Sequence, residues 1–146
     1  MNKTVIANWG HSNQGKSTVV KLLAQALLKK YPNAITDPVK VDFSVDIKCV
    51  ITIGKIKVGF ESQGDPNSRL FESIKDFATL ECDIIVCSTR TSGRTVTAVN
   101  QIHDRHGYDI IWVTNHRSNE KDRDQLNTLS ATQLLALLSK LIDGNL

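Results

Sequence analysis

The stretch that decides the fold is Gly10-His11-Ser12-Asn13-Gln14-Gly15-Lys16-Ser17. It has the pattern G-x-x-x-x-G-K-S, and it follows an apolar run at residues 4–8 whose β-branched members predict a short buried strand. After it, apolar side chains recur at helical spacing over residues 17–30, and Pro32 ends the helix that they predict. A buried strand, a glycine-bounded turn and an amphipathic helix therefore follow one another directly.

Apolar strands alternate with amphipathic helices along the rest of the chain. Strands are predicted at residues 39–43, 47–53, 56–61, 83–88 and 109–114, and helices from Asp65-Pro66, at 95–106 and at 131–142, with Asp65 and Ser130 as N-caps. Gly54-Lys55 joins two alternating runs, which predicts a hairpin. The pattern predicts a three-layer α/β sandwich, with a mainly parallel sheet and a β-hairpin that adds one antiparallel strand. We expect one domain over residues 1–146.

Composition and charge narrow the functional classes. The 146 residues are 40% hydrophobic and 23% charged, with a formal net charge of +3 and no basic run, so no nucleic-acid interface is indicated. Cys49, Cys82 and Cys87 have neither disulfide nor zinc spacing, and we expect reduced core thiols. No stretch is long enough to cross a membrane and no signal peptide is seen, so we expect a cytoplasmic protein.

The residue types of the opening stretch suit phosphate binding. Glycines let the backbone approach a phosphate closely, and the amides of such a loop form an anion-binding nest. The helix that begins near Ser17 presents its positive end to the same anion. Lys16 is expected to bridge β- and γ-phosphate oxygens, and the Ser17 hydroxyl to bind Mg²⁺. The predicted phosphate-binding residues are Gly10, His11, Ser12, Asn13, Gln14, Gly15, Lys16, Ser17 and Thr18.

The motif resembles the Walker A motif of the P-loop NTPase superfamily, which implies a P-loop fold and Mg²⁺-nucleoside triphosphate as ligand. Within that superfamily, Ala7-Asn8 before the loop and Lys16-Ser17-Thr18 at its end resemble the ParA- and MinD-like ATPases. His11 stands where that group carries a signature lysine, so the resemblance does not extend to its lysine-dependent dimerisation.

The order of loop, helix and hairpin is also similar to that of Ras-like GTPases. Glu61-Ser62-Gln63-Gly64 stands where those proteins carry D-x-x-G. Their guanine-reading N-K-x-D is represented by Asn115-His116-Arg117-Ser118, which has neither the lysine nor the aspartate. We therefore expect ATP as the nucleotide, with GTP as the alternative.

A carboxylate near Mg²⁺ is the next requirement of such a site. The run Val58-Gly59-Phe60-Glu61 looks like a Walker B strand that ends in an acid. Glu61 or Asp65 is expected to hold Mg²⁺, or Glu61 to polarise an attacking water that Gln63 orients. For Asp65 the alternative is a purely structural N-cap.

Two arginines follow the predicted strand at residues 83–88. The carboxyl ends of parallel strands face one crevice, so Arg90 and Arg94 are expected on the edge that carries the loop. There they would neutralise the transferring phosphoryl group or bind an acceptor phosphate. The alternative is a solvated loop in which Ser92 or Thr95 caps the next helix.

Three functions remain open from the sequence. The first is Mg²⁺-dependent binding and hydrolysis of ATP, with Lys16, Glu61, Gln63, Arg90 and Arg94 as catalytic residues. The second is a small kinase that passes the γ-phosphate to a small acceptor. The third is a nucleotide-gated interaction module with little turnover, whose partner is another protein or a second copy of the chain.

Overall fold

The computed structural model describes residues 2–11 and 15–146. The elements in chain order are β1 (Thr4–Trp9), α1 (Lys16–Lys30), β2 (Ile35–Asp37), β3 (Lys48–Ile53), β4 (Ile56–Glu61), α2 (Leu70–Thr79), β5 (Ile84–Thr89), α3 (Arg94–His106), β6 (Asp109–Val113) and α4 (Arg123–Ile142). The positions of Ser12, Asn13 and Gln14 in the predicted phosphate loop lie outside the described residues.

The strands form one mixed six-stranded sheet in the order β2-β3-β4-β5-β1-β6. Strands β4, β5, β1 and β6 are parallel to one another, whereas β2 and β4 each pair with β3 in the antiparallel sense. The predicted α/β class, with a mainly parallel sheet extended by a hairpin, is confirmed at this level. Because β5 lies between β1 and β4, Glu61 at the end of β4 is two strands away from the turn that follows β1.

Two hydrophobic cores cover the two faces of the sheet. One core joins α1 and α4 to side chains such as Ile6 and Val86, and the other joins α2 and α3 to side chains such as Val5 and Ile85. Alternate residues of each strand point to opposite faces, so β1 and β5 supply both cores. All six residues of β5 are buried, as the continuous apolar run predicts for a strand covered on both sides.

One predicted strand and the predicted start of one helix are wrong, and polar side chains explain both differences. Residues 39–43 are not a strand: β2 ends at Asp37, and the Asp42 carboxylate accepts hydrogen bonds from both the backbone N–H and the hydroxyl of Ser44. A side chain that holds the local backbone in this way competes with strand pairing. The last helix begins eight positions earlier than expected, because Asp122 rather than Ser130 accepts the capping hydrogen bond, from Gln125 N at 2.9 Å.

The start of α2 also differs from the prediction. The helix begins at Leu70, with Arg69 at the N-cap position, so Asp65 does not cap it. Instead the Asp65 carbonyl accepts a turn hydrogen bond from Ser68 N at 3.0 Å. The Asp65 side chain is left to form an ion pair with Arg90.

The three cysteines are free and buried, as expected for reduced core thiols. Burial raises the pKa of Cys49 to about 12, that of Cys82 to about 11 and that of Cys87 to about 12. Over residues 2–11 and 15–146, none of the helices combines the length and the apolar character needed to cross a membrane.

Candidate functional site

The candidate site lies where the carboxyl ends of β1 and β5 meet the first turn of α1. Gly10 follows β1 directly, and its N–H donates to the carbonyl of Thr89 at the end of β5, at 3.1 Å. The same carbonyl accepts a hydrogen bond from Lys16 Nζ, so three points of the chain are joined there. This is the edge at which an open α/β sheet presents a ligand crevice.

Gly15 places the loop against α4. Its backbone is left-handed, with φ 75° and ψ 14°, a conformation that favours glycine. A Cβ at this position would lie 2.6 Å from Asn127 Oδ1, well inside van der Waals contact. The backbone angle therefore favours glycine here, and a Cβ would also require the Asn127 side chain to move, a contact that is visible only in the tertiary structure.

The Lys16 ammonium is held at the centre of the site. It is only 8% exposed, and Nζ donates to the carbonyls of Gly10 and Thr89, both at 2.6 Å. An ammonium has three N–H donors, and the hydrogen bonds among the described residues use two of those of Lys16. Burial, and after it the charge of Arg90, lowers the pKa of Lys16 to about 8, while Asp65 acts in the opposite direction. A poorly hydrated cation of this kind binds an incoming anion strongly.

The first turn of α1 carries the hydroxyl predicted for Mg²⁺. Ser17 Oγ donates to Asp46 Oδ1 at 2.5 Å, and Asp46 Oδ1 also accepts from Ser62 Oγ at 2.8 Å. Thr18 is exposed on the same turn. Among the described residues no side chain caps this helix, and no acidic side chain lies in its first turn. The N-terminal amides of α1 are thus without a side-chain acceptor in the part of the chain described.

Glu61 lies in a buried ion pair. It is fully buried, and its Oε1 accepts from Arg69 Nε at 2.7 Å and from the hydroxyl of Ser73 at 2.6 Å. Its Oε2 accepts from Arg69 Nη2 at 3.3 Å and from the backbone N–H of Gln63 at 3.2 Å. The Gln63 side chain accepts from Arg69 N at 3.4 Å, at the limit of a hydrogen bond. Both carboxylate oxygens of Glu61 therefore accept hydrogen bonds that hold the end of β4 to the start of α2.

Asp65 and the two predicted arginines, Arg90 and Arg94, lie around the outside of the candidate site. Arg90 Nη2 and Nε lie 2.8 and 3.2 Å from Asp65 Oδ1, and both residues influence the pKa of Lys16. Arg94 is exposed, and its guanidinium lies over the ring of Phe71 at 5.6 Å from the centroid. Arg90 therefore belongs to the neighbourhood of Lys16, whereas Arg94 contacts α2. Thr95 Oγ1 accepts from Arg90 N at 2.9 Å and so shapes this loop.

The ends of β1 and β5 contain buried polar atoms without hydrogen-bond partners among the described residues: Asn8 Oδ1, Ser88 Oγ and Thr89 Oγ1. Asn8 and Ser88 are side by side in the parallel register, and Asn8 Nδ2 donates to Asn115 Oδ1 at 2.7 Å. Such atoms are usually satisfied by water or a ligand in folded proteins. They lie at the same edge as Lys16.

A cavity of about 480 Å³ adjoins the loop on the α4 side. Its lining includes Arg117 and Asn119 from the segment after β6, and Arg123 and Asn127 from α4. Asn127 is also the residue whose side chain lies beside Gly15. Among the residues that line it, none is a carboxylate. His11 is exposed and lines a second cavity, of about 310 Å³, together with Trp9.

The geometry separates the predicted residues into two groups. Gly10, Gly15, Lys16 and Ser17 lie together at one edge, with Arg90 and Asp65 near them. Glu61 and Gln63 instead take part in the contact with α2. Asp46 and Asn127 were not identified from the sequence, because each meets its partner across a long stretch of chain. Arg69 was not identified either, because no motif pattern points to its pairing with Glu61, eight residues away.

Comparisons with known proteins yield little for this chain. No protein-family model matches it, and no curated protein matches it. The crystal structure of APE1195 is similar with a TM-score of 0.40 and 14% sequence identity, over 99% of this chain and 74% of that one. The function proposed below rests on the site's own residues.

Proposed function

We propose that this chain binds Mg²⁺-complexed nucleoside triphosphate, ATP in preference to GTP, at the turn between β1 and α1, and hydrolyses it. The observation that carries the proposal is the position of Lys16. Its buried ammonium, which donates to two carbonyls among the described residues, stands at the amino-terminal end of α1 beside Gly10 and Gly15. A triphosphate brought there would meet the lysine charge, the loop amides and the helix dipole together.

Oxygen ligands for Mg²⁺ are present at the same turn. Mg²⁺ prefers hydroxyl, carboxylate, water and phosphate oxygens, and Ser17 with its hydrogen-bonded carboxylate partner Asp46 fits that preference. When bound, the ion would neutralise charge on the β- and γ-phosphate oxygens. The protein's own contribution is to hold the Ser17 hydroxyl and the Lys16 ammonium on the phosphate side of the loop.

The cavity beside Asn127 is the proposed place for the base and ribose. It has about 480 Å³ and adjoins the loop through Asn127. Guanine recognition relies on a carboxylate that accepts from the base, and the described lining residues include none. This favours ATP over GTP as the first ligand to test.

Slow turnover is expected, which keeps the interaction module as a second candidate. Glu61 is fully buried and each of its oxygens accepts hydrogen bonds, so it is poorly placed to polarise an attacking water. A protein that binds the triphosphate but lacks a well-placed general base hydrolyses it slowly. Such behaviour suits a switch whose partner binding depends on the bound nucleotide.

Arg90 supports the alternative function, a small kinase that passes the γ-phosphate to an acceptor. Its guanidinium is close enough to Lys16 to lower that residue's pKa, and its partner Asp65 is 72% exposed at the side chain. An acceptor phosphate could replace such an exposed partner. Acceptor-dependent release of nucleoside diphosphate over a slow background would select the kinase.

The decisive experiment is equilibrium binding of ATP and GTP, with Mg²⁺, to the wild type and to Lys16→Ala. Trp9 precedes Gly10 and is 36% exposed, so its fluorescence in a Trp112→Phe background reports on the loop. We expect wild-type binding of ATP, weakened roughly 10- to 100-fold by Lys16→Ala, because a charge-assisted contact is removed. Lys29→Ala, an exposed change at the other end of α1, is the matched control and should bind as the wild type does.

Two outcomes would contradict the proposal. Absence of binding of either nucleotide by the wild type would exclude it, and equal binding by Lys16→Ala would show that the ligand sits elsewhere. Phosphate release, measured with the same samples, then separates hydrolysis from nucleotide-dependent partner binding without turnover.

A further inference from the structure

We propose that Asp46, on the segment between β2 and β3, supplies the carboxylate of the metal site, in place of the acids at the end of β4. Asp46 is the acid whose side chain the structure joins directly to Ser17, at 2.5 Å from the hydroxyl. The inference rests on the proposed function and adds a named residue to it.

The contacts of Asp46 leave room for a cation. Oδ1 accepts from Ser17 and Ser62, and among the described residues no hydrogen bond reaches Oδ2. A carboxylate that accepts the Ser17 proton also turns the lone pairs of that hydroxyl away from itself, where a cation can use them. One carboxylate, one hydroxyl, phosphate oxygens and water make the kind of oxygen shell in which Mg²⁺ is bound.

The charge state of Asp46 suits this role. Partial burial works against its ionisation, but the hydroxyls of Ser17 and Ser62, followed by the charges of Lys21 and Arg69, outweigh it. Together they hold the pKa of Asp46 below its usual range.

The other predicted acids are engaged elsewhere. Glu61 is fully buried against Arg69 and Ser73, so binding a metal would require that ion pair to open. Asp65 is paired with Arg90 on the rim. Opening the Glu61 pair would leave a buried charge without its partner. The exposed Asp65 has no hydrogen bond with Ser17 among the described residues, whereas Asp46 accepts one from it.

The test compares ATP affinity in Mg²⁺ with ATP affinity in a chelator, by calorimetry, for the wild type, Asp46→Asn, Glu61→Gln and Asp42→Asn. Asp42 lies on the same segment, bonds only Ser44 among the described residues and loses the same charge, so it is the matched control. We expect Asp46→Asn to lose roughly 10- to 100-fold of the Mg²⁺-dependent gain in affinity and to keep the metal-free affinity. Asp42→Asn and Glu61→Gln should keep the gain.

The possible results separate the two proposals. Failure of the wild type to bind ATP in either condition overturns the proposed function and this inference with it. Normal ATP binding with an undiminished Mg²⁺ gain in Asp46→Asn overturns this inference alone. If Glu61→Gln loses the Mg²⁺-dependent gain in ATP affinity and Asp46→Asn keeps it, the carboxylate of the metal site is Glu61 at the end of β4, and this inference is overturned.

A second measurement needs no substitution. Fe²⁺ in place of Mg²⁺, with ATP, ascorbate and peroxide, cleaves the backbone next to the bound metal. Cuts near residues 17 and 46 are expected, and they would be suppressed by excess Mg²⁺. Cuts confined to residues 61–65 would contradict the assignment.

Discussion

Gly15 carries two separate constraints that ordinarily occur at different positions. Its φ of 75° belongs to the left-handed region, and a Cβ there would meet Asn127 at 2.6 Å. Gly107, which ends α3, has nearly the same φ of 72° but meets nothing within 4 Å. The two glycines therefore allow the backbone and the packing contributions to be measured apart.

We expect Gly107→Ala to lose ~1–2 kcal/mol of unfolding free energy, because the left-handed backbone conformation is unfavourable for alanine and no neighbouring atom is crowded. Gly15→Ala should lose more than this, since the buried Asn127 side chain must also turn away from the new methyl group. Urea unfolding of both variants makes the comparison. Equal losses would mean that Asn127 adapts without cost, and the packing argument would then fail.

The lowered pKa of Lys16 predicts that the affinity for ATP depends on pH. Burial, then the charge of Arg90, lowers its pKa to about 8 in the free protein. A phosphate binds the charged form, so ATP affinity should be constant below that pH. Above it the affinity should fall by about tenfold per pH unit, because binding must then take up a proton. Titrations of ATP binding between about pH 7.5 and 9.5 at constant ionic strength would show the fall.

Lys16→Arg is the control for this dependence. The guanidinium stays charged throughout the range, so whatever affinity that variant retains should not fall above pH 8. A wild-type affinity that stays flat across the range would show that the Lys16 ammonium makes no charge contact with the ligand.

The hairpin and α2 meet at Gly59. Alternation along β4 places Gly59 on the face opposite Val58 and Phe60. The structure shows close approach: a Cβ at Gly59 would lie 2.7 to 2.9 Å from ring atoms of Phe77. On the same side, the Glu61–Arg69 ion pair fixes the start of α2 against the end of β4. The Gly59–Phe77 contact and the Glu61–Arg69 ion pair thus hold α2 against β4 at two points.

Gly59→Ala should cost ~1–3 kcal/mol of stability, because the methyl group overpacks against a buried aromatic ring. Phe77→Leu removes part of the ring, so the double variant should lose less than the sum of the two single losses. A double-mutant cycle from denaturant unfolding measures that coupling. Strictly additive losses would mean that α2 shifts as a unit and relieves the contact by itself.

The cores on the two faces of the sheet are joined by the shared strands β1 and β5. Cys49 belongs to the core of α1 and α4, and Cys82 and Cys87 to that of α2 and α3. Each thiol is buried and each has a raised pKa. The cysteines therefore report on both faces of the molecule.

In the native protein we expect none of these thiols to react with a disulfide reagent on the time scale of minutes, because the thiolate forms only when the surrounding core opens. All three should react after denaturation. If the sheet unfolds as one unit, the three should react at a common rate in dilute denaturant. Earlier reaction of Cys49 alone would show that the face of α1 and α4 opens separately.

Several local features follow from the sequence. Among the described residues, apolar periodicity located each helix, although the starts of α2 and α4 were wrong, and it located each strand except β2. The uninterrupted run of β5 indicated a strand covered on both sides. The G-x-x-x-x-G-K-S pattern identified Gly15 and Lys16, which the structure places at the edge of the sheet. These features depend on residues that are close in the chain, so spacing alone reveals them.

The tertiary structure decided which acid meets Ser17. Asp46 is 29 positions away along the chain, and the path of the segment between β2 and β3, bent by the Asp42–Ser44 contacts, brings it there. It also decided that Glu61 is buried against Arg69 and that Asn127 presses on Gly15. Periodicity and motif spacing describe neighbours in the chain, whereas a partner across the molecule depends on how loops travel and how helices pack. For this reason the G-x-x-x-x-G-K-S stretch at residues 10–17 could be picked out from the sequence, whereas Asp46, the carboxylate proposed for the metal site, could not.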